Sequence, residues 1–414
     1  MAGHSTGRSE GALDLPSVES AVAALSDGPH RPVWAEVDLD AISHNVRAIK
    51  QQLSPATALM VVVKANGYGH GAVPVAKAAL HHGAQWLGVA IVEEGINLRQ
   101  AGITAPILIL GAPPSWQASL VVESDLRVAV CTWDLARALS VAAQERGVVA
   151  RVHVKLDTGM GRLGVLPDEA LEFITRLKTL PNLEIEGIFS HFATADDLDT
   201  GYACRQFAAF AEVLQSLKRV GISIPIKHIA NTAAALSIPE TRLSLVRSGI
   251  AVYGLPAAPN QPEALRLIPA LELKAAVSYV HRVSRSSGIS YGVEYVTDKD
   301  TNIVTLPVGY ADGYSRLLSG KGEVLLCGRR YPIVGNICMD QCMVDVGDSD
   351  IHIGDEAVLL GRQGSEAISA GELAEKMGTI HYEIICMIGG RVPRVYKGQE
   401  ARRQGLQSSQ VHHT

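Results

Sequence analysis

Several features that would point to other kinds of protein are missing from this sequence. No excess of basic residues is present: 37 Lys and Arg stand against 42 Asp and Glu, a net charge of -5, so there is no positive field to attract nucleic acid. No apolar run approaches the length needed to span a bilayer. The richest stretches, such as Ala58–Val63 and Pro106–Leu110, are short and bounded by Gly, Pro or charge, as buried strands are. Cysteine is sparse and scattered. Cys131, Cys204, Cys327, Cys338, Cys342 and Cys386 form no paired CxxC set, which argues against structural zinc and suits free thiols in a reducing cytoplasm. The first residues lack the basic start, apolar middle and small-residue cleavage site of a secretory signal.

What is present is ordinary globular material: 414 residues, 47% hydrophobic and 19% charged, enough for two domains with sizeable cores. Residues 1–31 mix Gly, Ser and charge around an amphipathic patch near Val18–Leu25 and read as a loose tail; residues 401–414 read the same way. From residue 58 onward short apolar runs alternate with helical spacing. Eight runs precede residue 250: Leu59–Lys64, Trp86–Ala90, Ile107–Leu110, Arg127–Cys131, Val152–Leu156, Ile185–Ser190, Lys227–Ile229 and Ser244–Arg247. Helical spacing fills the gaps, as in Ala72–His82, Trp133–Arg146, Asp168–Leu180 and Tyr202–Val220. Strand then helix, eight times over, predicts a parallel (β/α)8 TIM-like barrel over residues 32–269. Beyond the turn-rich connection Ala257–Pro269 the texture changes. Strand-like runs separated by Gly, Asp and Pro dominate, and only Ser369–Met377 reads as helix, so residues 270–400 are expected to form a second, mostly β domain.

A barrel enzyme places its chemistry at the carboxyl ends of its strands. There the sequence puts Lys64 after the first run, Lys155, Asp157 and Arg162 after the fifth, His191 after the sixth, Asn231 and Thr232 after the seventh and Arg247 after the eighth. Singly, each is most simply a solvated charge, a satisfied histidine or a helix cap. Their convergence on one rim favours a site. The segments after the seventh and eighth runs, Asn231-Thr232-Ala233-Ala234 and Ser248-Gly249-Ile250, suit a phosphorylated ligand. Gly67-Tyr68-Gly69-His70-Gly71 matches neither dinucleotide nor P-loop spacing.

These segments are similar to the motifs of the alanine racemase family, a group of pyridoxal-phosphate enzymes. Val61–Gly71 resembles its cofactor-attachment signature, with Asp157–Gly164, Ser190–Asp196 and Val246–Gly254 as further matches. In the β domain Ser290-Tyr291-Gly292, Val308–Gly313, Cys338–Gln341 and Tyr382-Glu383-Ile384 appear in order, so the likeness spans residues 32 to 397. The resemblance implies interconversion of L- and D-alanine, supplying D-alanine for cell-wall peptidoglycan, by a homodimer whose active sites are shared between subunits.

It also implies roles. Lys64 is the amine that carries pyridoxal 5'-phosphate and the base on the D-alanine face. Tyr291 is the base on the L-alanine face. A phenol ordinarily ionises near about 10, so positive neighbours must lower it, and His191 and Arg247 are candidates to supply that charge. Arg247 faces the pyridine nitrogen and His191 the ring. Tyr68, Asn231, Thr232, Gly249, Ile250 and Tyr382 complete the cofactor shell, and Arg162 with the backbone of Met339 takes the substrate carboxylate. Lys155 matches a lysine that is carbamylated in some members. At Asn336, in the corridor to the site, many relatives carry arginine. Other readings that the resemblance leaves are a broad-specificity or serine-preferring racemase, a decarboxylase of similar plan, and a single-barrel cofactor carrier, for which the long β domain would be unexplained.

Overall fold

The computed structural model describes residues 31–258, 261 and 265–406. The expected tail at 1–31, apart from Arg31, and residues 407–414 lie outside the described residues. All eight expected runs are strands of one sheet: β2 (Ala58–Val62), β3 (Trp86–Val89), β4 (Ile107–Ile109), β5 (Arg127–Val130), β6 (Ala150–Lys155), β7 (Leu183–Phe189), β8 (Ile226–His228) and β9 (Leu245–Ser248). Every neighbouring pair is parallel, and β9 returns to β2 with Met60 opposite Arg247. Between β8 and β9 the ring closes through two backbone bonds, Ser244 N to Lys227 O at 3.2 Å and Arg247 N to Ala230 O at 3.1 Å. A sheet covered on both faces needs continuous apolar strands, which explains why the runs do not alternate.

The helices keep closely to their spacing. Trp133–Arg146 is helical over the whole expected range, ended by Gly147 at φ 66°. Gly201–Arg219 buries Ala203, Gln206, Phe210, Val213 and Leu217, a stripe at intervals of three and four.

The second unit departs from the sequence reading in its membership. Its ten-stranded sheet includes β1 (Val33–Asp38), which lies within the stretch assigned to the barrel. β1 pairs antiparallel with β10 (Leu271–Ala276) and parallel with β11 (Arg394–Lys397), burying Val33, Ala35 and Val37 on alternate positions. The chain therefore starts in the β domain, builds the barrel, and returns. Two further helices, His381–Met387 and Gln399–Arg403, lie outside the helical expectation. The second occupies the start of the stretch read as tail. Both are short and too poor in pattern to read alone; the first packs on helix Ala370–Met377 and on the Lys64–Tyr68 turn, the second on helix Leu39–Gln51, and these tertiary contacts support them. Among the described residues, no helix is long and apolar enough to cross a membrane.

The two units are clamped together beside the site. Arg394 is buried, and its guanidinium donates across the boundary to Gly69 O at 3.0 Å while also binding Ile388 O, Gly389 O and Val392 O. His381 Nε2 meets Pro256 O at 3.0 Å.

Candidate active site

Strand β2 ends at Val62, two residues before Lys64, rather than at the lysine itself. Beyond the lysine the chain makes a turn of the wrong hand. Ala65, Asn66, Gly67 and Tyr68 all sit near φ 51–62°, so three residues with side chains occupy the left-handed region. That conformation costs on the order of 1–2 kcal/mol per residue, and such strain persists where surrounding structure fixes it. Here the fixing groups are visible. Glu94 accepts from Ala65 N at 2.6 Å and from Ala90 N at 2.7 Å; Asn66 Oδ1 accepts from Ala72 N at 2.9 Å; Gly67 N donates to Val63 O at 2.8 Å. The turn aims Lys64 and Tyr68 into one space.

That space is a cavity of about 470 Å³ between barrel rim and β domain. Lys64, Tyr68, His191, Asn231, Thr232, Arg247, Gly249, Ile250 and Tyr382 all line it, so the ends of several barrel strands and one distant helix converge as expected. Cys386, Glu383 and Asp196 also line it, with no counterpart among the residues expected there. Helix His381–Met387 supplies Tyr382 and Cys386, which is why sequence spacing could not find the cysteine.

Burial and the Arg162 guanidinium both lower the pKa of Lys64. Arg162 itself is on an exposed loop shaped by Asp157, whose carboxylate accepts from Gly159, Met160 and Gly161 N–H groups at 3.0, 2.9 and 3.1 Å. Burial alone would raise the Asp157 pKa; those three donors more than offset it and leave it lowered. Lys155 is buried, and its pKa falls to about 8 through burial and then the Arg247 charge.

Arg247 is buried on β9 and held on all sides. It donates to His228 Nδ1 at 2.7 Å, Ser190 O at 2.8 Å, Ile229 O at 2.9 Å and His191 Nδ1 at 3.1 Å. Burial lowers its pKa, but a guanidinium keeps its proton in proteins. The bond to His228 Nδ1 fixes that ring's tautomer, leaving Nε2–H to face His153 Nδ1 at 2.9 Å. His153 Nε2 then reaches Glu186 at 3.3 Å, beside Arg127. A line of two imidazoles thus runs through the barrel interior from Arg247 to a carboxylate. His228 stacks on Phe189 with centroids 4.7 Å apart. These histidines lie within runs that read simply as apolar strands; the signal for them is a polar residue at an inward position.

His191 does not supply the positive charge expected of it for Tyr291. Burial, then Arg247, Arg162, Lys155 and Lys64, push its pKa well below 6.5, so the ring is neutral near pH 7. Any positive charge near a phenol here comes from the guanidinium and ammonium groups.

The other end of the cavity fits an anion. Thr232 Oγ1 accepts from Gly249 N at 2.9 Å, and Asn231 caps its helix by accepting from Ala234 N at 3.0 Å. A Cβ on Gly249 would lie 2.6 Å from Tyr68 Oη, so only glycine lets the phenol close down on that backbone. Burial raises the pKa of Tyr68 and lifts that of Tyr382 to about 12, so both phenols remain protonated donors. Hydroxyl and phenol donors around a glycine backbone, facing an amine across the cavity, are a donor set suited to a phosphorylated aldehyde.

Tyr291 and Met339 are not among the cavity residues. Tyr291 is 73% exposed and Met339 51% exposed. They share a neighbourhood, because Asn336 Nδ2 donates to Tyr291 O at 2.8 Å and Ser290 Oγ lies near Cys338 Sγ at 3.6 Å.

A (β/α)8 barrel bearing a lysine, an arginine and a phosphate-fitting rim, joined to a β domain that covers it, defines a class of two-domain barrel enzymes. The chain belongs to the alanine racemase family: residues 37–257 match the alanine racemase N-terminal domain and residues 270–396 the C-terminal domain. It is 50% identical to the alanine racemase of Symbiobacterium thermophilum over 372 residues, covering 90% of this chain and 98% of that one. To the alanine racemase of Desulfovibrio desulfuricans it is 48% identical over 367 residues, 88% of this chain and 98% of the relative. Among solved structures, the Bacillus anthracis alanine racemase with bound L-Ala-P matches with a TM-score of 0.85 at 42% identity, covering 89% and 96% of the two chains. A histidine racemase from Leuconostoc mesenteroides matches at 0.83 with 29% identity, over 90% and 100%.

Proposed function

We propose that this chain interconverts L- and D-alanine, using pyridoxal 5'-phosphate held at Lys64 and a tyrosine lent by a second copy of the chain. The observation that carries the reading is the single cavity lined by Lys64, Arg247, Tyr68, Tyr382, Thr232 and Gly249 in a member of this family. When bound, the cofactor supplies a conjugated electron sink for the pair left at the α-carbon.

The chain's own residues do the rest. Tyr68, Tyr382, Thr232 and the backbone of Gly249 and Ile250 would hold the phosphate; Asn231 keeps Thr232 in place by capping its helix. Arg247, positively charged and itself a donor, would leave a ring nitrogen beside it unprotonated, and neutral His191 would face the ring. Arg162 and the backbone N–H of the partner's Met339 fix the substrate carboxylate, because a planar guanidinium fork matches two oxygens. Lys64 moves the proton on the D face, its lowered pKa favouring the free amine. Tyr291 of the partner subunit moves it on the L face. The exposure of Tyr291 and Met339, outside the cavity of their own chain, supports a homodimer with shared sites.

The test is D-alanine formation from L-alanine with and without added pyridoxal phosphate. Lys64→Ala should lose activity by at least about 1,000-fold, in line with loss of both attachment and a proton-transferring base. Comparable efficiency on L-serine, L-lysine and L-alanine would contradict the alanine preference.

A further inference from the structure

The Tyr291 side chain is exposed, so its position is set through its backbone. That backbone is unusual. Ser290 sits at φ 67°, ψ -179°, a region almost confined to glycine, and Val293 at φ 52°; Gly292 between them is at φ 78°. Such a sequence of dihedrals holds only when neighbours fix it. The neighbour is the segment Gly335–Cys338. Gly335, at φ 66°, approaches so closely that a Cβ there would lie 2.7 Å from Ile289 O and from Ser290 Cβ. Two reciprocal bonds then cross the gap: Ser290 Oγ donates to Asn336 O at 2.6 Å, and Asn336 Nδ2 donates to Tyr291 O at 2.8 Å. Asn336 is 7% exposed, so its amide is committed to this contact rather than to solvent. The segment is tied down in turn by Ile337 N on Ser319 Oγ at 3.0 Å.

We propose that Asn336 is a positioning residue for catalysis: its amide locks the strained Ser290–Val293 loop and so sets the reach of the Tyr291 phenol. This rests on the reading that Tyr291 is the base on the L face. It assigns to the asparagine a part in proton transfer, where the resemblance gave only a place in the access corridor. A misplacement of about 1 Å at a proton-transferring group is enough for a roughly 100-fold loss of rate.

The experiment uses the full-length, cofactor-loaded enzyme with alanine deuterated at the α-carbon. Asn336→Ala should lower kcat by roughly 10- to 100-fold. The primary isotope effect should rise with labelled L-alanine and fall with labelled D-alanine, because only the tyrosine face is impaired. In D2O, D-alanine should exchange its α-hydrogen more often per conversion than in the native enzyme. Asn336→Asp, which has no donor at neutral pH, should behave like alanine, and Asn336→Gln should recover part of the rate. Should Asn336→Ala fail to fold by circular dichroism, Ser290→Ala, which removes the reciprocal bond together with the weaker contact to Cys338 Sγ, decides: it should shift the isotope effects in the same sense, and a folded Ser290→Ala with native isotope effects overturns the proposal. So does a folded Asn336→Ala with native kcat, or one slowed with both isotope effects unmoved. Tyr291→Phe separates the two ideas. If it leaves L-face exchange intact, the base assignment itself fails; if it abolishes that exchange while Asn336→Ala does not alter it, only the positioning role fails.

Discussion

At the scale of single residues, the chemistry is governed by what each charge is allowed to touch. Arg247 is enclosed by four acceptors, two of them imidazole nitrogens, and so presents a fixed positive donor. With the cofactor placed as proposed, a carboxylate there would hold a proton on the ring nitrogen and strengthen the electron sink. Arg247→Glu is therefore expected to slow racemisation by on the order of 100-fold and to raise the yield of pyruvate from alanine. Pyruvate measured over a long incubation checks this, and an unchanged ratio of pyruvate to D-alanine would contradict it. Residue types and their order at strand ends are enough to nominate Lys64, Arg247 and His191. The protonation of His191 is not legible there, because it depends on burial and then on four cationic neighbours brought together from separate parts of the chain. Glu94 is also invisible in the sequence: its part is to hold the left-handed turn after Lys64, and no sequence pattern announces that hand.

At the scale of elements, the loop after β6 shows how one carboxylate shapes a segment to which substrate binding is assigned in the proposed function. Asp157 gathers three N–H groups and presents Arg162 beside Lys64 and His191. Asp157→Ala leaves those donors without their acceptor and frees the loop. A charged hydrogen-bond set of this kind is worth about 1.5–3 kcal/mol, so KM for alanine should rise roughly 10-fold or more with a smaller change in kcat. Steady-state kinetics checks it; a fall in kcat with native KM would place the loop's role elsewhere. The barrel strands are readable because both their faces are buried, making apolar runs conspicuous. By contrast, the helices His381–Met387 and Gln399–Arg403 take their form from tertiary contacts. Tyr382 reaches the site only because the first of them packs there, which no local pattern reveals.

At the scale of the whole molecule, the β domain covers the barrel and, in the proposed dimer, lends Tyr291 and Met339 to the partner's site. A partly exposed network of ion pairs adds to its apolar core. Arg330 binds Glu323, Glu366 and Glu372, with Lys376 beside them. The Arg330 hydrogen bond, ahead of the Lys376 contact, brings Glu372 down to about 2 from its ordinary 4.5. A carboxylate whose folded pKa is depressed contributes stability that is whole above the unfolded value and lost as pH falls towards the folded one. The thermal midpoint should therefore drop as pH falls from 4.5 to about 2, and Glu372→Gln should be less stable at neutral pH with a shallower acid slope. Equal slopes in the two proteins would contradict the assignment. The order of the units along the chain can be read from texture, but the return of β1 to the second sheet cannot. A strand of six residues carries no mark of its partner until β10 and β11 are folded beside it.

The central claim is that Lys64 of one subunit and Tyr291 of the other flank the same carbon. Mixing unfolded or dissociated Lys64→Ala and Tyr291→Phe subunits and reassembling them tests it directly. Shared sites give each hybrid dimer one intact pair, so two inactive proteins should together recover about a quarter of native alanine racemisation for random pairing of equal amounts. Recovery of none, with hybrid dimers demonstrated, would mean that each site is built within one chain and would contradict the account.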